Sequence, residues 1–348
     1  MKAPTISPLQ AELINLHPAL VDMRRMVCDG LRKKPRQLPA WLLYDTEGSR
    51  LFEQICEQPE YSLSRTETAL LGKQAAAIAT ALESGVIVEF GAGSARKVGP
   101  LLRSLRPAAY IAIDISSEHL QESTNALQRQ FPEVPILGIC CDHSQLDALP
   151  DHPLLRGQRR IGFFPGSSLG NFEAKEAIVL LRNFRKLLNG GPLLLGLDHP
   201  KPKERMVAAY NDAAGVSAAF AHNLLHRLNH ELEGDFDLDQ FTYRASWQAE
   251  QSRVVMELVS KCKQLITVAG RQWLFTAGES LITEYSIKYL PEAALALVAE
   301  AGWDGVQRWH DPANEFSIHL LKPSNCTAKP KAATNEPSRA TSQNQARA

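Results

Sequence analysis

Val86-Ile-Val-Glu-Phe-Gly-Ala-Gly-Ser-Ala-Arg-Lys97 decides the fold. Val86 to Glu89 reads as a buried strand, Gly91-Ala-Gly93 as a tight turn, and the residues after it as the start of a helix. Strand, glycine turn and helix in that order are how an α/β sheet presents backbone N–H groups to a nucleotide-like ligand. The turn is E-F-G-A-G, so the third glycine of a dinucleotide fingerprint is missing. An acid ahead of a short G-x-G turn suits a ligand with an amino group and no phosphate, such as S-adenosylmethionine. An ordinary βα turn that needs glycine for positive φ has the same letters, so the neighbouring sequence has to decide.

Moving outward, Tyr110-Ile-Ala-Ile-Asp114 is a second apolar strand ending in an acid. It follows the first by about 20 residues, where doubly wound sheets place the carboxylate that accepts ribose hydroxyls. A third strand, 136–140, ends at Cys141-Asp142-His143, and Asp142 is placed to meet an adenine amine. A fourth, 160–164, runs into Pro165-Gly-Ser-Ser-Leu-Gly-Asn171. All of these fall at the carboxyl ends of strands, where ligands bind in open α/β sheets. Any one aspartate could serve only as a helix N-cap or loop acid. In this order, together, they favour a methyltransferase.

Composition sets the frame. The 348 residues are 44% hydrophobic and 22% charged with a formal net charge of zero, ordinary for a soluble globular chain and giving no sign of a nucleic-acid partner. The six cysteines form no C-x-x-C pair and no zinc spacing, so a reduced, cytoplasmic setting and no metal are expected. No apolar run approaches the length of a membrane span, and no basic segment followed by an apolar run suggests a signal peptide. Residues 322–348 carry no aromatic residue and are expected to be disordered, with residues 1–9 loose as well.

The organisation in between reads as interrupted. A helix is expected over 10–34, a short one around Leu51 to Cys56, and a long alanine-rich one over 66–84. Strand–helix alternation then fills 86–198. Residues 203–233 read as helices and 241–283 as antiparallel strands. A helix over 291–301 and strands near 306–309 and 316–320 resume the core pattern. The fold class is therefore α/β: a Rossmann-like class I methyltransferase core (66–199 and 290–321) carrying an inserted α+β substrate-binding domain (10–65 and 200–289). A cleft is expected where the two meet.

From about residue 30 to residue 321 the chain resembles the histidine-specific Nα-methyltransferases of ergothioneine biosynthesis. The resemblance is carried by Leu38-Pro-Ala-Trp-Leu-Leu-Tyr-Asp45, Pro59-Glu-Tyr-Ser-Leu-Ser-Arg-Thr-Glu67, Glu89-Phe-Gly-Ala-Gly-Ser94, Gly166-Ser-Ser-Leu-Gly-Asn-Phe172, Ala208-Ala-Tyr-Asn-Asp-Ala-Ala-Gly-Val216 and Leu281-Ile-Thr-Glu-Tyr-Ser-Ile-Lys-Tyr289. It implies an enzyme that uses S-adenosylmethionine to trimethylate the α-amine of L-histidine, giving hercynine. It implies that Glu284 and Ser286 hydrogen-bond the imidazole; their spacing of two along a strand puts both on one face. It further implies that Asn171, at the end of the loop opened by Gly166, holds the amino-acid head group with Tyr210, that Tyr61 and Met256 line the same pocket, and that Tyr44 lies near the cofactor. Tyr44 and Tyr61 are the candidates to relay protons between rounds. On the cofactor side it implies close backbone approach at Gly91, Lys97 toward the methionine carboxylate, Asp114 on the ribose, and Asp142 on adenine. His143 stands where the family often has an aromatic residue. A monomer with a small-molecule substrate is expected. Three rivals stand beside this reading: the same build acting on another amino acid, a non-catalytic S-adenosylmethionine-binding partner protein, and a nucleotide-dependent oxidoreductase. Intact Glu284/Ser286, an intact Asp114 and the missing third glycine speak against them in turn.

Overall fold

The structure, a computed structural model, describes residues 10–16 and 20–324. The segments expected to be loose, 1–9 and the tail beyond 324, lie outside the described residues. In chain order the elements are β1 (Glu12–Asn15), α1 (Leu20–Arg32), β2 (Arg36–Gln37), α2 (Thr46–Glu57) and α3 (Ser62–Ala81). The alternation follows: β3 (Val86–Phe90), α4 (Gly99–Leu105), β4 (Ala109–Asp114), α5 (Ser117–Gln130), β5 (Ile136–Cys140), β6 (Arg160–Phe164), α6 (Ala174–Leu187) and β7 (Leu193–Asp198). Helices α7 (Lys203–Ala209) and α8 (Val216–Glu231) lead to β8 (Phe241–Gln248), β9 (Arg253–Ser260), β10 (Gln264–Val268), β11 (Arg271–Phe275) and β12 (Ser280–Ile287). The chain closes with α9 (Pro291–Glu300), β13 (Trp303–His310) and β14 (Phe316–Pro323).

Eight strands form one sheet in the order β1-β5-β4-β3-β6-β7-β14-β13. From β1 to β7 all neighbours are parallel, and β14 and β13 close the sheet as an antiparallel pair. This is the doubly wound, Rossmann-like arrangement expected from the strand–helix alternation. Alternation along β3 explains its sequence. Val86, Val88 and Phe90 join the buried cluster on one face, and Ile87 joins the cluster on the other. A parallel strand covered on both faces reads as a continuous apolar run for this reason. The strand order reverses at β3, between β4 and β6, and such a switch point opens a crevice at the carboxyl ends of the strands.

A second, four-stranded sheet has the order β2-β12-β9-β8, and β10 and β11 form a separate hairpin. The helix expected over 10–34 is corrected. Residues 12–15 instead pair in parallel with β5 at the sheet edge, and α1 starts only at Leu20. In the sequence a proline stands at position 18, outside the described residues, and a proline inside a helix removes a donor and clashes with the preceding turn. The open edge of β5 then satisfies the segment's backbone. The C-terminal boundary moves as well, since β14 runs through Pro323 where disorder was expected from residue 322. Helix α3 begins four residues earlier than expected, with Tyr61 as its N-cap residue.

Candidate active site

The crevice at the switch point is a cleft of about 1040 Å³. Its floor is the glycine turn. Gly91 and Gly93 have φ of +70° and +53°, left-handed values that glycine adopts without strain. The N–H groups of Gly91 and Ala92 both donate to the Ile113 carbonyl. Asp114 is held at the tip of β4, its Oδ2 accepting from Gly93 N (2.8 Å) and its Oδ1 from Ser116 N (3.1 Å). Asp142 is fixed in the same way by the Ser144 N–H and hydroxyl. Both carboxylates line the cleft. So does His143, whose ring packs among Phe90, Phe164, Phe172 and Phe184. Burial there lowers its pKa, and its Nε2 has no hydrogen-bond partner in the structure.

Two residues near the turn have surroundings that the sequence did not anticipate. Lys97 lines the cleft, but its ammonium pairs at 2.7 Å with Glu67. Glu67 is fully buried on α3 and also accepts the Gly166 N–H on both oxygens (2.9 and 3.0 Å). One carboxylate thus ties α3, the Lys97 segment and the Gly166 loop together. Glu89, read as the acid that would suit a ligand's amino group, does not line the cleft. Its place in the strand alternation turns it into the interior, where Oε2 accepts from the Tyr110 hydroxyl at 2.7 Å and Oε1 has no partner. Burial pushes its pKa up to about 8.

A small chamber of about 60 Å³ adjoins the cleft. Tyr44, Phe52, Tyr61, Gly166, Asn171 and Glu284 line both spaces, so the chamber opens directly onto the cleft. Tyr210, Met256 and Ser286 line the chamber alone. All seven residues expected to bind substrate therefore meet in one place. Three elements bring them there. In β12, pairing with β9 shifts register between Ile282 and Glu284; such an irregularity re-aims side chains, and Thr283, Glu284 and Ser286 all reach the chamber. The 165–171 loop turns through Gly166 at φ +77° and Ser167 at φ +57° and sets Asn171 beside β12, where its Nδ2 donates to Glu284 Oε1 at 2.8 Å. Ahead of α2, the Asp45 side chain caps the helix by accepting from Gly48 N and takes a second hydrogen bond from Asn223 of α8. This fixes Tyr44, whose hydroxyl donates to Glu284 Oε1 at 3.4 Å.

Burial pushes Glu284 up to about 8, with the Tyr44 hydrogen bond and the Lys288 charge pulling the other way. Burial also holds the Tyr44 and Tyr61 phenols well above their ordinary range, so both stay protonated. Aromatic rings wall the mouth of the chamber: Tyr44 lies edge-on to Phe52 and Phe220, and Tyr61 to Phe52 and Tyr210, with centroids 5.4–6.3 Å apart.

Sequence reasoning missed several residues here. Glu67 had a signal: it shares the buried face of α3 with Leu63, Leu70 and Leu71, an odd place for an acid. Lys288 had one too, since it continues the spacing of two from Glu284 and Ser286. It is fully buried and bonded to Asp198, Tyr210 and Ser286. Phe52 and Phe220 had none, because only the packing of α2 against α8 brings them together.

Comparison with known proteins adds the following. Residues 23–323 match the family model described as "Histidine-specific methyltransferase, SAM-dependent". The chain is 36% identical over 306 residues to the histidine N-alpha-methyltransferase of Mycobacterium tuberculosis, covering 86% of this chain and 94% of that one. It is 37% identical, with the same coverage, to the protein of that name from Mycolicibacterium smegmatis. Identity to ergothioneine biosynthesis protein 1 of Neurospora crassa is 31%, over 89% of this chain and 35% of the longer fungal protein.

Proposed function

Because this chain belongs to the histidine-specific, S-adenosylmethionine-dependent methyltransferases, we propose that it methylates the α-amine of L-histidine three times to give hercynine, within ergothioneine biosynthesis. The observation that carries the reading is the meeting of Asn171, Glu284, Tyr210 and Ser286 in one chamber that opens onto the glycine-turn cleft. The 200–289 insertion with most of 10–65 acts in this reading as the substrate-binding domain over the core. The protein works as a cytoplasmic monomer without nucleic acid; among the described residues no helix is long and apolar enough to cross a membrane.

The cleft fits the cofactor. The turn offers backbone without Cβ atoms at Gly91 and Gly93, with open space around Gly93. Asp114 suits ribose hydroxyls, and Asp142 with the unpartnered His143 Nε2 suits a base edge. Bound there, S-adenosylmethionine supplies an electrophilic methyl group on a sulfonium. Lys97, already paired with Glu67, contributes a charge that a carboxylate can share.

The chain's own residues then do three things. Glu284 and Ser286 take the two ring nitrogens of the imidazole, which differ in donor and acceptor character, and Asn171 and Tyr210 hold the head group. Alignment of amine, methyl and sulfur is worth several kcal/mol of barrier. Met256 fills space beside the ring. The rings of Tyr44, Phe52, Tyr61 and Phe220 line the chamber and exclude water, and an aromatic lining suits quaternary ammonium groups. The α-amine titrates near pH 8 in model peptides, so a neutral fraction exists without a strong base. Tyr44 and Tyr61 pass released protons outward as neutral hydroxyls, accepting one proton while giving up another.

The test is calorimetric titration of L-histidine with S-adenosylhomocysteine present, followed by mass spectrometry of the product. Saturable binding and a gain of three methyl groups are expected. A hydrogen bond to a charged group is worth about 1.5–3 kcal/mol, so Glu284→Ala should weaken histidine about tenfold to a hundredfold. Wild-type protein that binds the cofactor product but not histidine overturns the substrate assignment and favours another amino acid.

A further inference from the structure

Behind the chamber wall lies a charge that the reading above does not use. Lys288 follows β12 directly, and its side chain is completely buried. Its ammonium has three acceptors around it: Asp198 Oδ2 at 2.8 Å, the Tyr210 hydroxyl at 2.5 Å and Ser286 Oγ at 2.9 Å. An ammonium has three hydrogens and no lone pair, so its capacity is filled and it acts only as a donor. Asp198, at the end of β7, holds it from behind and is itself bonded by Lys201. Burial lowers the pKa of Lys288, but the Asp198 charge beside it outweighs burial and raises it.

The consequence for the two hydroxyls is a matter of counting hydrogens. Tyr210 OH and Ser286 Oγ lie 2.8 Å apart and share one hydrogen bond. Each also accepts from Lys288, so neither gives its hydrogen in that direction. Two hydroxyl hydrogens are available and one is used between them. A single hydrogen is left to point into the chamber that both residues line; it belongs to the hydroxyl that accepts within the pair, whose two lone pairs are then both filled, while the other hydroxyl keeps one lone pair.

We propose that Lys288, anchored by Asp198, is a positioning residue that makes the Tyr210–Ser286 pair present one donor hydrogen to the substrate and thereby selects a ring with a bare acceptor nitrogen at that end. The proposal rests on histidine being the substrate. A neutral imidazole carries one N–H and one bare nitrogen. With the bare nitrogen at Ser286 and the head group at Tyr210, the N–H of the ring faces Glu284, so the site takes one tautomer. Without Lys288 the hydroxyls can rotate and accept as well as donate, and the preference for a ring nitrogen weakens.

The experiment compares L-histidine with 3-(2-thienyl)alanine, whose five-membered ring has no nitrogen. Binding of each is measured by calorimetry with S-adenosylhomocysteine present, in wild type, Lys288→Met, Ser286→Ala and the double variant. A site built to hydrogen-bond a substrate group rejects analogues that lack it, so wild type should prefer histidine strongly. Lys288→Met is expected to lower that preference by about tenfold or more, with S-adenosylhomocysteine binding unchanged. In the Ser286→Ala background the same change should cost much less, because the two act as one unit. Equal loss of both amino acids in Lys288→Met, or additive losses in the double variant, overturns the proposal and leaves Lys288 a structural charge. Asp198→Asn, which keeps the lysine but loosens its anchor, should shift the preference the same way by a smaller factor and carries the test if Lys288→Met does not fold; an unchanged preference there also overturns it. Wild-type protein that binds S-adenosylhomocysteine but no histidine fails the substrate reading, and the proposal with it, a result distinct from all of these.

Discussion

Glu284 and Glu89 are both carboxyls that burial pushes up to about 8, and the two have different consequences. Glu284 faces the chamber proposed to hold the substrate. As acceptor for an imidazole N–H it works in its ionised form, which fills in as pH rises through about 8. Histidine affinity should therefore increase between pH 6.5 and 8.5, by about tenfold more in wild type than in Glu284→Gln. Titration calorimetry at both values checks this, and the variant subtracts the contribution of the substrate's own amine. Glu89 faces only Tyr110 and the interior. Between its unfolded value near 4.5 and about 8, the unfolded chain has lost the proton and the folded one keeps it. Stability must then fall as pH rises across that window. Glu89→Gln has no proton to lose, so its stability relative to wild type should rise by on the order of 1 kcal/mol per pH unit from pH 5 to 8. Denaturant unfolding at each pH reads it out. Glu284 and Ser286 were marked by the family resemblance, and their spacing along a strand put both on one face. Glu89's direction was not legible, because which face of a parallel strand meets the ligand depends on the sheet it joins.

Among the elements, the 165–171 loop and β12 carry the chamber between them. A Cβ on Gly170 would lie 2.4 Å from the Ile287 carbonyl oxygen, far inside contact distance and against backbone that cannot swing away. Gly170→Ala should push the loop off β12, lengthen the Asn171–Glu284 contact and weaken histidine binding at least tenfold, while S-adenosylhomocysteine binding stays within about twofold. Parallel calorimetric titrations decide; equal loss of both ligands would mean that the loop also supports the cofactor side. The strands of the alternation were legible to within a residue or two, since each is a short apolar run between breakers. Strand β1 was not. Its four residues have no strand signature, and they are extended because an unpaired edge of β5 lies beside them.

At the scale of the whole molecule, the cleft joins residues from α2, the glycine turn, β4, the 165–171 loop and β12. A ligand that binds only this folded arrangement stabilises it by mass action. S-adenosylhomocysteine at about 100 times its Kd should add about 2.7 kcal/mol and raise the unfolding temperature by a few degrees. Histidine should add a further shift only in protein with an intact chamber, so Glu284→Ala should keep the first increment and lose the second. Differential scanning calorimetry with each ligand alone and both together separates the two.

The sequence by itself determined the parallel core and its glycine turn, because these follow from short-range patterns: apolar runs, glycine at positive φ and acids at strand ends. The chamber residues came from the family resemblance, with spacing adding only that Glu284 and Ser286 share a face. Only the tertiary structure decided which charges those residues answer to. Glu67 clamps Lys97 and Gly166, and Asp198 anchors Lys288 beneath Tyr210 and Ser286, across separations of 30 to 99 residues. A buried charge is stable only beside its partner, and partners that distant along the chain are chosen by packing, which no local pattern encodes.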